Sequence, residues 1–423
     1  MSLRAHRLAA AALLALAGAC AHAHGADGAD AGAEETRAAD SPQQTLYREA
    51  LEALAEGRRT DASQALRRLV AEQPLHAGAW LDLALTQCAL GNGDEAERLF
   101  ATFETRFQPS QDILVLIAET REAGCKPWEP VRSTVVTAGR GIDRNVNQGA
   151  SVTSLVVDRG QQPVELTLLP DFLPQRDDYS VVGVDYLREL TPNGSVGYVQ
   201  YQARRNDHIH RYDSAALFAG VESPWRIGRW TVRAGATLGA VTLGGQLYQR
   251  QGQLQARATP ALPLPAGTQL TVSGSATWNR YVTLTNFDSL TLEGRALLSW
   301  RSGPLVANAA FALLDDRART QRPGGNRHGG IASLLLRRSL PASLTGELGY
   351  TRQTWGSAAP YAPELIDAVR AQRTEVLRTA LSYQFAKHQT LQLEARAVRN
   401  RENIGIFQYN DRILQLSWQW QLP

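Results

Sequence analysis

Leu414-Gln415-Leu416-Ser417-Trp418-Gln419-Trp420-Gln421-Leu422, just before the C-terminal Pro423, alternates large apolar with polar residues without a break. A period of two marks a β-strand with one apolar and one polar face. The same alternation recurs upstream. Trp230, Val232, Ala234, Ala236 and Leu238 oppose Thr231, Arg233, Gly235, Thr237 and Gly239. Leu377, Thr379, Leu381, Tyr383 and Phe385 oppose Arg378, Ala380, Ser382 and Gln384. Leu391, Leu393, Ala395 and Ala397 oppose Gln392, Glu394 and Arg396.

Fourteen such strands are expected, near residues 131–142, 177–190, 194–206, 210–222, 229–241, 245–258, 268–282, 289–300, 304–317, 328–339, 344–355, 373–386, 390–401 and 410–422. Each supplies the roughly 9–11 residues that a tilted strand needs to cross a bilayer. Connections after even-numbered strands read as short, with one turn placed around Pro224. The long ones, at residues 143–176, 318–327 and 356–372, all follow odd-numbered strands. Short turns at one end and longer loops at the other are the habit of outer-membrane barrels. This predicts an antiparallel transmembrane β-barrel over residues 131–423, with the chain entering its first strand and leaving its last on the periplasmic side. Trp225, Trp230, Trp278, Trp300, Tyr350 and Trp355 fall near strand ends and suit interfacial girdles against outer-membrane lipids. The last strand departs from the usual aromatic final residue, ending Trp420-Gln421-Leu422-Pro423, which bears on its recognition by the outer-membrane assembly machinery.

The N-terminus agrees with export. Arg4 and Arg7 precede an uncharged run at residues 8–19, too short to span a bilayer as a helix, and Ala21-His22-Ala23 fits a cleavage site. Residues 1–23 are expected to be a signal peptide and 24–41 a disordered leader. Acylation at Cys20 is the competing reading. Cys88 and Cys125 are then the remaining cysteines, either paired in an oxidising compartment or separate buried thiols. The formal net charge of +3 gives no reason to expect nucleic acid.

Residues 42–125 repeat with a period of 34: Gly57 recurs as Gly91, Ala62 as Ala96, Leu66 as Phe100 and Leu69 as Phe103. This is the tetratricopeptide period. Helices are predicted at 43–56, 61–73, 77–90, 94–107 and 111–123, closed by Gly124. Such a stack offers a surface for a client protein. Trp80, Leu83 and Leu85 are read as packing between helices. Residues 126–130, with two prolines, form the linker.

The inward faces carry charges of both signs: Arg233, Glu293, Arg295, Glu347, Arg378, Glu394 and Arg396. They are expected to pair across the lumen and constrict it. No nucleophile elbow, paired cysteine motif or phosphate loop is present, so no catalytic, cofactor-binding or metal residue is assigned and the chain reads as a non-enzyme. His208 and His210 are taken as an exposed polar loop.

The segment Gly139-Arg140-Gly141-Ile142-Asp143-Arg144-Asn145-Val146-Asn147 resembles the Gly-Tyr-Asp-Ser-Asn-Val-Asn stretch that opens the barrel of surface lipoprotein assembly modulators. Ile142 and Arg144 replace its Tyr and Ser, leaving Gly139, Gly141, Asp143, Asn145 and Asn147 as the matching set. Arg401-Glu402-Asn403-Ile404, with Tyr409 and Arg412, resembles that family's final hairpin. The resemblance implies a periplasmic tetratricopeptide region and a barrel that moves lipoproteins to the cell surface. The alternatives are a porin for exopolysaccharide or small solutes, and a structural or adhesion barrel.

Overall fold

The computed structural model describes residues 42–159, 162–227 and 230–422. The signal peptide, the leader and Cys20 lie outside the described residues. Two compact units result, one helical and one β.

The helical unit contains α1 (Pro42–Ala55), α2 (Arg59–Glu72), α3 (Ala77–Ala89), α4 (Gly93–Phe107) and α5 (Gln111–Ala123). The residues that set the sequence period fill its core: Leu66, Leu69, Ala96, Phe100 and Phe103 are buried, with Leu83, Ala84 and Ile117 beside them. Trp80 and Leu85 pack against this cluster. Gly57, Gly91 and Gly124 close their helices at φ of 76°, 83° and 72°, where side chains are strained. A β-carbon on Gly91 would also lie 2.8 Å from the Pro127 backbone, so that glycine lets the linker pack close. Cys88 and Cys125 are joined in a disulfide with a Cα–Cα distance of 4.6 Å.

In the β unit, fourteen strands among the described residues close into one antiparallel barrel. They are β1 (Arg132–Asp143), β4 (Asp177–Glu189), β5 (Val196–Asn206), β6 (Ser214–Ile227), β7 (Trp230–Leu243), β8 (Gln246–Thr259), β9 (Thr268–Tyr281), β10 (Ser289–Ser302), β11 (Leu305–Ala318), β12 (Arg327–Leu340), β13 (Leu344–Ala362), β14 (Ile366–Ala386), β15 (Gln389–Glu402) and β16 (Tyr409–Leu422). Each pairs with its sequence neighbour in the barrel, and β16 returns to β1 with Thr134 opposite Leu422 and Asp143 opposite Ile413. The closure leaves no free edge for another chain to extend. Leu238, Leu298, Phe311, Leu377, Leu393, Leu414 and Leu416 are exposed on the outside, the arrangement of a wall that meets lipid.

Some expectations fail locally. Residues 143–176 contain a small hairpin, β2 (Ser154–Arg159) and β3 (Gln162–Thr167), not a loop alone. Residues 356–372 are mostly strand: β13 and β14 run on beyond the wall, although Pro360 and Ala362 shift the register. Pro360 lacks an N–H and breaks the ladder without ending it. Pro224 is not in a turn but pairs with Arg233 inside β6, which continues to Ile227 opposite Trp230. Residues 210–212 form a 3-10 turn, so β6 starts at Ser214. The β7–β8 connection, on the long-loop end, is only Gly244-Gly245, at φ of 57° and 77°. Trp355 is no girdle residue. It stands opposite Gly329, whose missing side chain makes room for its ring, and Arg327 stacks on it at 5.0 Å.

Candidate functional site: the lumen and its long-loop rim

Register fixes which side chains share the inner wall. Arg233 of β7 and Arg257 of β8 both donate to the same Glu222 carboxylate oxygen of β6, at 3.1 and 2.7 Å. Glu293 accepts from Arg295 on its own strand at 2.6 Å. Arg378 of β14 bridges Glu347 of β13 at 2.8 Å and Glu394 of β15 at 2.9 Å, and Arg337 of β12 reaches Glu347 at 2.9 Å. All these pairs run along the wall, not across the lumen as expected. Inward residues on neighbouring strands stand about 5 Å apart, whereas a barrel of this strand number holds opposite walls well beyond side-chain reach. Arg396 stands apart from the others. It forms no ion pair among the described residues, and its buried Nε has no hydrogen-bond partner.

The two ends of the wall differ. Toward the short turns the inward side chains keep contact with water: Arg257 is 41% exposed and Arg378 33%. Toward the long loops a ring of inward polar residues is shut away: Asp143, Asn206, Gln249, Asn279, Asp316, Thr374 and Asn400 are each at most 4% exposed. Buried polar groups need partners, and these have them. Asp143 takes Arg204 at 2.7 Å. Gln249 donates to Asn279 at 2.8 Å, and Thr374 donates to Asn400 at 2.6 Å. Asp316 holds Arg322 at 2.8 Å and Arg327 at 2.5 Å. The ring sits beside buried aromatic residues, among them Tyr179, Tyr248, Tyr281 and Tyr409.

The five matching residues of the opening segment all belong to this rim. Gly139 lies where a β-carbon would meet the Leu416 carbonyl oxygen at 2.8 Å, and Gly141 makes room for the Tyr179 ring. That ring carries Arg204 stacked at 3.8 Å and donates its hydroxyl to Gln415 at 2.8 Å. Asp143 accepts from the Asn145 N–H at 2.8 Å. Asn145 accepts from the Gly149 N–H at 2.7 Å and donates to the Gly149 and Asn410 carbonyls at 3.1 and 2.8 Å. Asn147 donates to the Asp171 and Leu173 carbonyls at 3.1 and 2.7 Å and accepts from the Gln175 N–H at 2.9 Å. The segment therefore stitches residues 144–176 onto the barrel rim. Val157 is buried, and Leu155 and Leu168 pack against Ile404, Ile406 and Phe407 of the last long-end loop.

Three of the other long-end loops share a closing device that sequence reasoning missed. An Asp or Asn side chain caps the N–H of a residue seven or eight positions earlier: Asp213 on Asn206 at 2.7 Å, Asp288 on Tyr281 at 2.7 Å, Asn326 on Ala318 at 2.9 Å. The signal was present as an Asp or Asn directly ahead of the next strand: Asp213 before β6, Asp288 before β10 and Asn326 before β12. His208 and His210 do not converge: each ring meets its own carboxylate, Asp177 at 2.8 Å and Asp213 at 3.2 Å. Among the described residues no cluster of His, Cys, Asp and Glu fits a metal ion.

Residues 53–109 match the tetratricopeptide repeat family. None of the curated proteins matches the chain. Among solved structures the chain is similar to a loop L8 deletion mutant of OmpT, an outer membrane protein of Vibrio cholerae, at 6% identity over 69% of this chain and 99% of that one, TM-score 0.39. It is similar to an anion-selective porin from Comamonas acidovorans at 9% identity over 70% and 99%, TM-score 0.37. It is also similar to a bacterial polysaccharide outer membrane secretin at 8% identity over 69% and 98%, TM-score 0.36. Fold and wall together define an outer-membrane β-barrel preceded by a short tetratricopeptide-like helical domain.

Proposed function

We propose that this barrel assists the passage of a client protein to the cell surface, a lipoprotein by the resemblance of its opening segment to the assembly modulators. The observation that carries the reading is the long-loop end of the lumen, where a ring of inward polar side chains is buried and residues of the first long loop are tied to the rim, an arrangement this reading takes as a seal. A general porin has no use for such a seal. An export device needs one that opens for its client. The chain enters the barrel at Arg132 and leaves it at Leu422, both at the short-turn end. In this reading that end faces the periplasm, as short turns do in outer-membrane barrels, and the helical domain works in the same compartment. Client capture is supported by α5, the last helix before the linker, on which Val115 and Leu116 are exposed.

A second reading rests on a different observation. The ion pairs run along the wall and do not bridge the lumen, so a saccharide or small-solute pathway opens if the outer rim moves. Deletion of the chain, followed by protease shaving of intact cells, separates the two. The export reading expects surface lipoproteins to become protected; unchanged exposure ends it. A lost uptake of sugars would favour the second reading.

A further inference from the structure

On the outside of the wall, β4, β1 and β16 run side by side, and three arginines converge there at the long-loop end. Ile142 and Leu414 are register partners, both exposed on the lipid-facing side. Arg144 and Arg412 each lie two residues beyond them toward the rim, hence on the same face. The two strands stay tied there, because the Arg144 N–H donates to the Arg412 carbonyl at 3.1 Å. Arg176 immediately precedes β4, at the position that continues the outward row of Asp178, Ser180 and Val182. These residues, with Ile413, line one cleft of about 260 Å³.

What sets the arginines of this cleft apart is that three of them line one space. Nearby Arg140 is held by Asp207 at 2.7 Å and Arg211 by Asp171 at 3.2 Å. Arg144, Arg176 and Arg412 are exposed and form no ion pair or side-chain hydrogen bond among the described residues. Asp178, the next outward residue of β4, pairs with none of them. Three uncompensated guanidinium groups around one small cleft repel each other unless an anion joins them. Guanidinium forks match phosphate oxygens in pairs. The floor of the cleft is apolar and continues down the wall through exposed Leu416, so the anion's carrier is a lipid and not a free ion.

We propose that this cleft binds the phosphorylated headgroup of an outer-leaflet glycolipid, its phosphates on Arg144, Arg176 and Arg412 and an acyl chain along Ile142 and Leu414. The leaflet assignment rests on the orientation given under Proposed function; the phosphate recognition does not. Such a lipid would sit against the β1–β16 closure, beside the segment that stitches the outer rim.

The test is native mass spectrometry of the full chain in neutral detergent, with bis-phosphorylated lipid A, its phosphate-free counterpart and inorganic phosphate as probes. Lipid A is expected to bind about tenfold or more tightly than the phosphate-free lipid, and to lose about as much on the triple change Arg144→Ala, Arg176→Ala, Arg412→Ala. The triple lysine variant is expected to fall between, since lysine keeps charge and loses the fork. Heat-modifiable migration reports folding; if the alanine variant misfolds, the lysine variant and the phosphate-free lipid decide. Equal binding of both lipids, or full displacement of lipid A by inorganic phosphate, overturns the proposal. An epitope tag placed after Gly325 reads the orientation separately. A tag hidden on intact cells overturns the outer-leaflet assignment while leaving the detergent result to judge phosphate recognition.

Discussion

Asn145 and Asn147 spend both ends of their amides on backbone of residues 144–176 and of β16. Removing a buried amide leaves backbone groups unpaired at a cost of about 1–3 kcal/mol. Asn145→Ala and Asn147→Ala should therefore raise hydrogen exchange and proteolysis within residues 144–176 while the strands stay protected. Loss of the whole barrel instead would mean the segment nucleates the fold. His208 gives a pH-dependent tether on the same rim. Its hydrogen bond to Asp177 is the main reason its pKa lies above the ordinary imidazole value, with that carboxylate's charge acting in the same direction. A raised value means the charge-assisted contact is complete below about pH 6.5 and is lost as pH rises through the folded pKa. An NMR titration of His208 should move to lower pH in Asp177→Asn; an unmoved midpoint would refute the assignment.

At the scale of elements, the β12–β13 hairpin turns through Ala342 and Ser343 at φ of 58° and 57°, a left-handed conformation that costs ordinary residues about 1–2 kcal/mol each. The double change Ala342→Asn, Ser343→Gly should raise the barrel's melting temperature, and a fall would show that these side chains matter elsewhere. In the helical unit the disulfide closes a separation of 37 residues, for which chain entropy predicts about 3–4 kcal/mol. Thermal scans of the full chain with and without reductant should lose stability in the helical transition alone. The elements themselves were largely legible. Period two in β16 and period 34 in the helices located both units, because each pattern is set by one buried or lipid-facing row. Pro224 misled, since proline marks a missing donor and not always a turn. The charged wall residues were found but not their partners. Glu222 and Arg257 sit two strands apart, on either side of Arg233, and sequence alternation says which face a residue takes, not which neighbour it meets.

For the whole molecule, the central claim is a barrel sealed at the long-loop end and solvated at the short-turn end. The sequence suggested a constricted lumen for another reason, pairing across the middle. The structure replaces that with pairs along the wall, and the seal proposed here rests on the buried polar ring at the rim. The seal was hidden because its members are single Asp, Asn, Gln and Thr residues scattered over seven strands, brought to one level only by register. The most direct measurement is single-channel conductance of the purified full chain in planar bilayers, alone and as Asn145→Ala with Asn147→Ala. The account predicts a closed baseline for the natural chain and frequent opening steps for the variant. A large, steady conductance through the natural chain would contradict it.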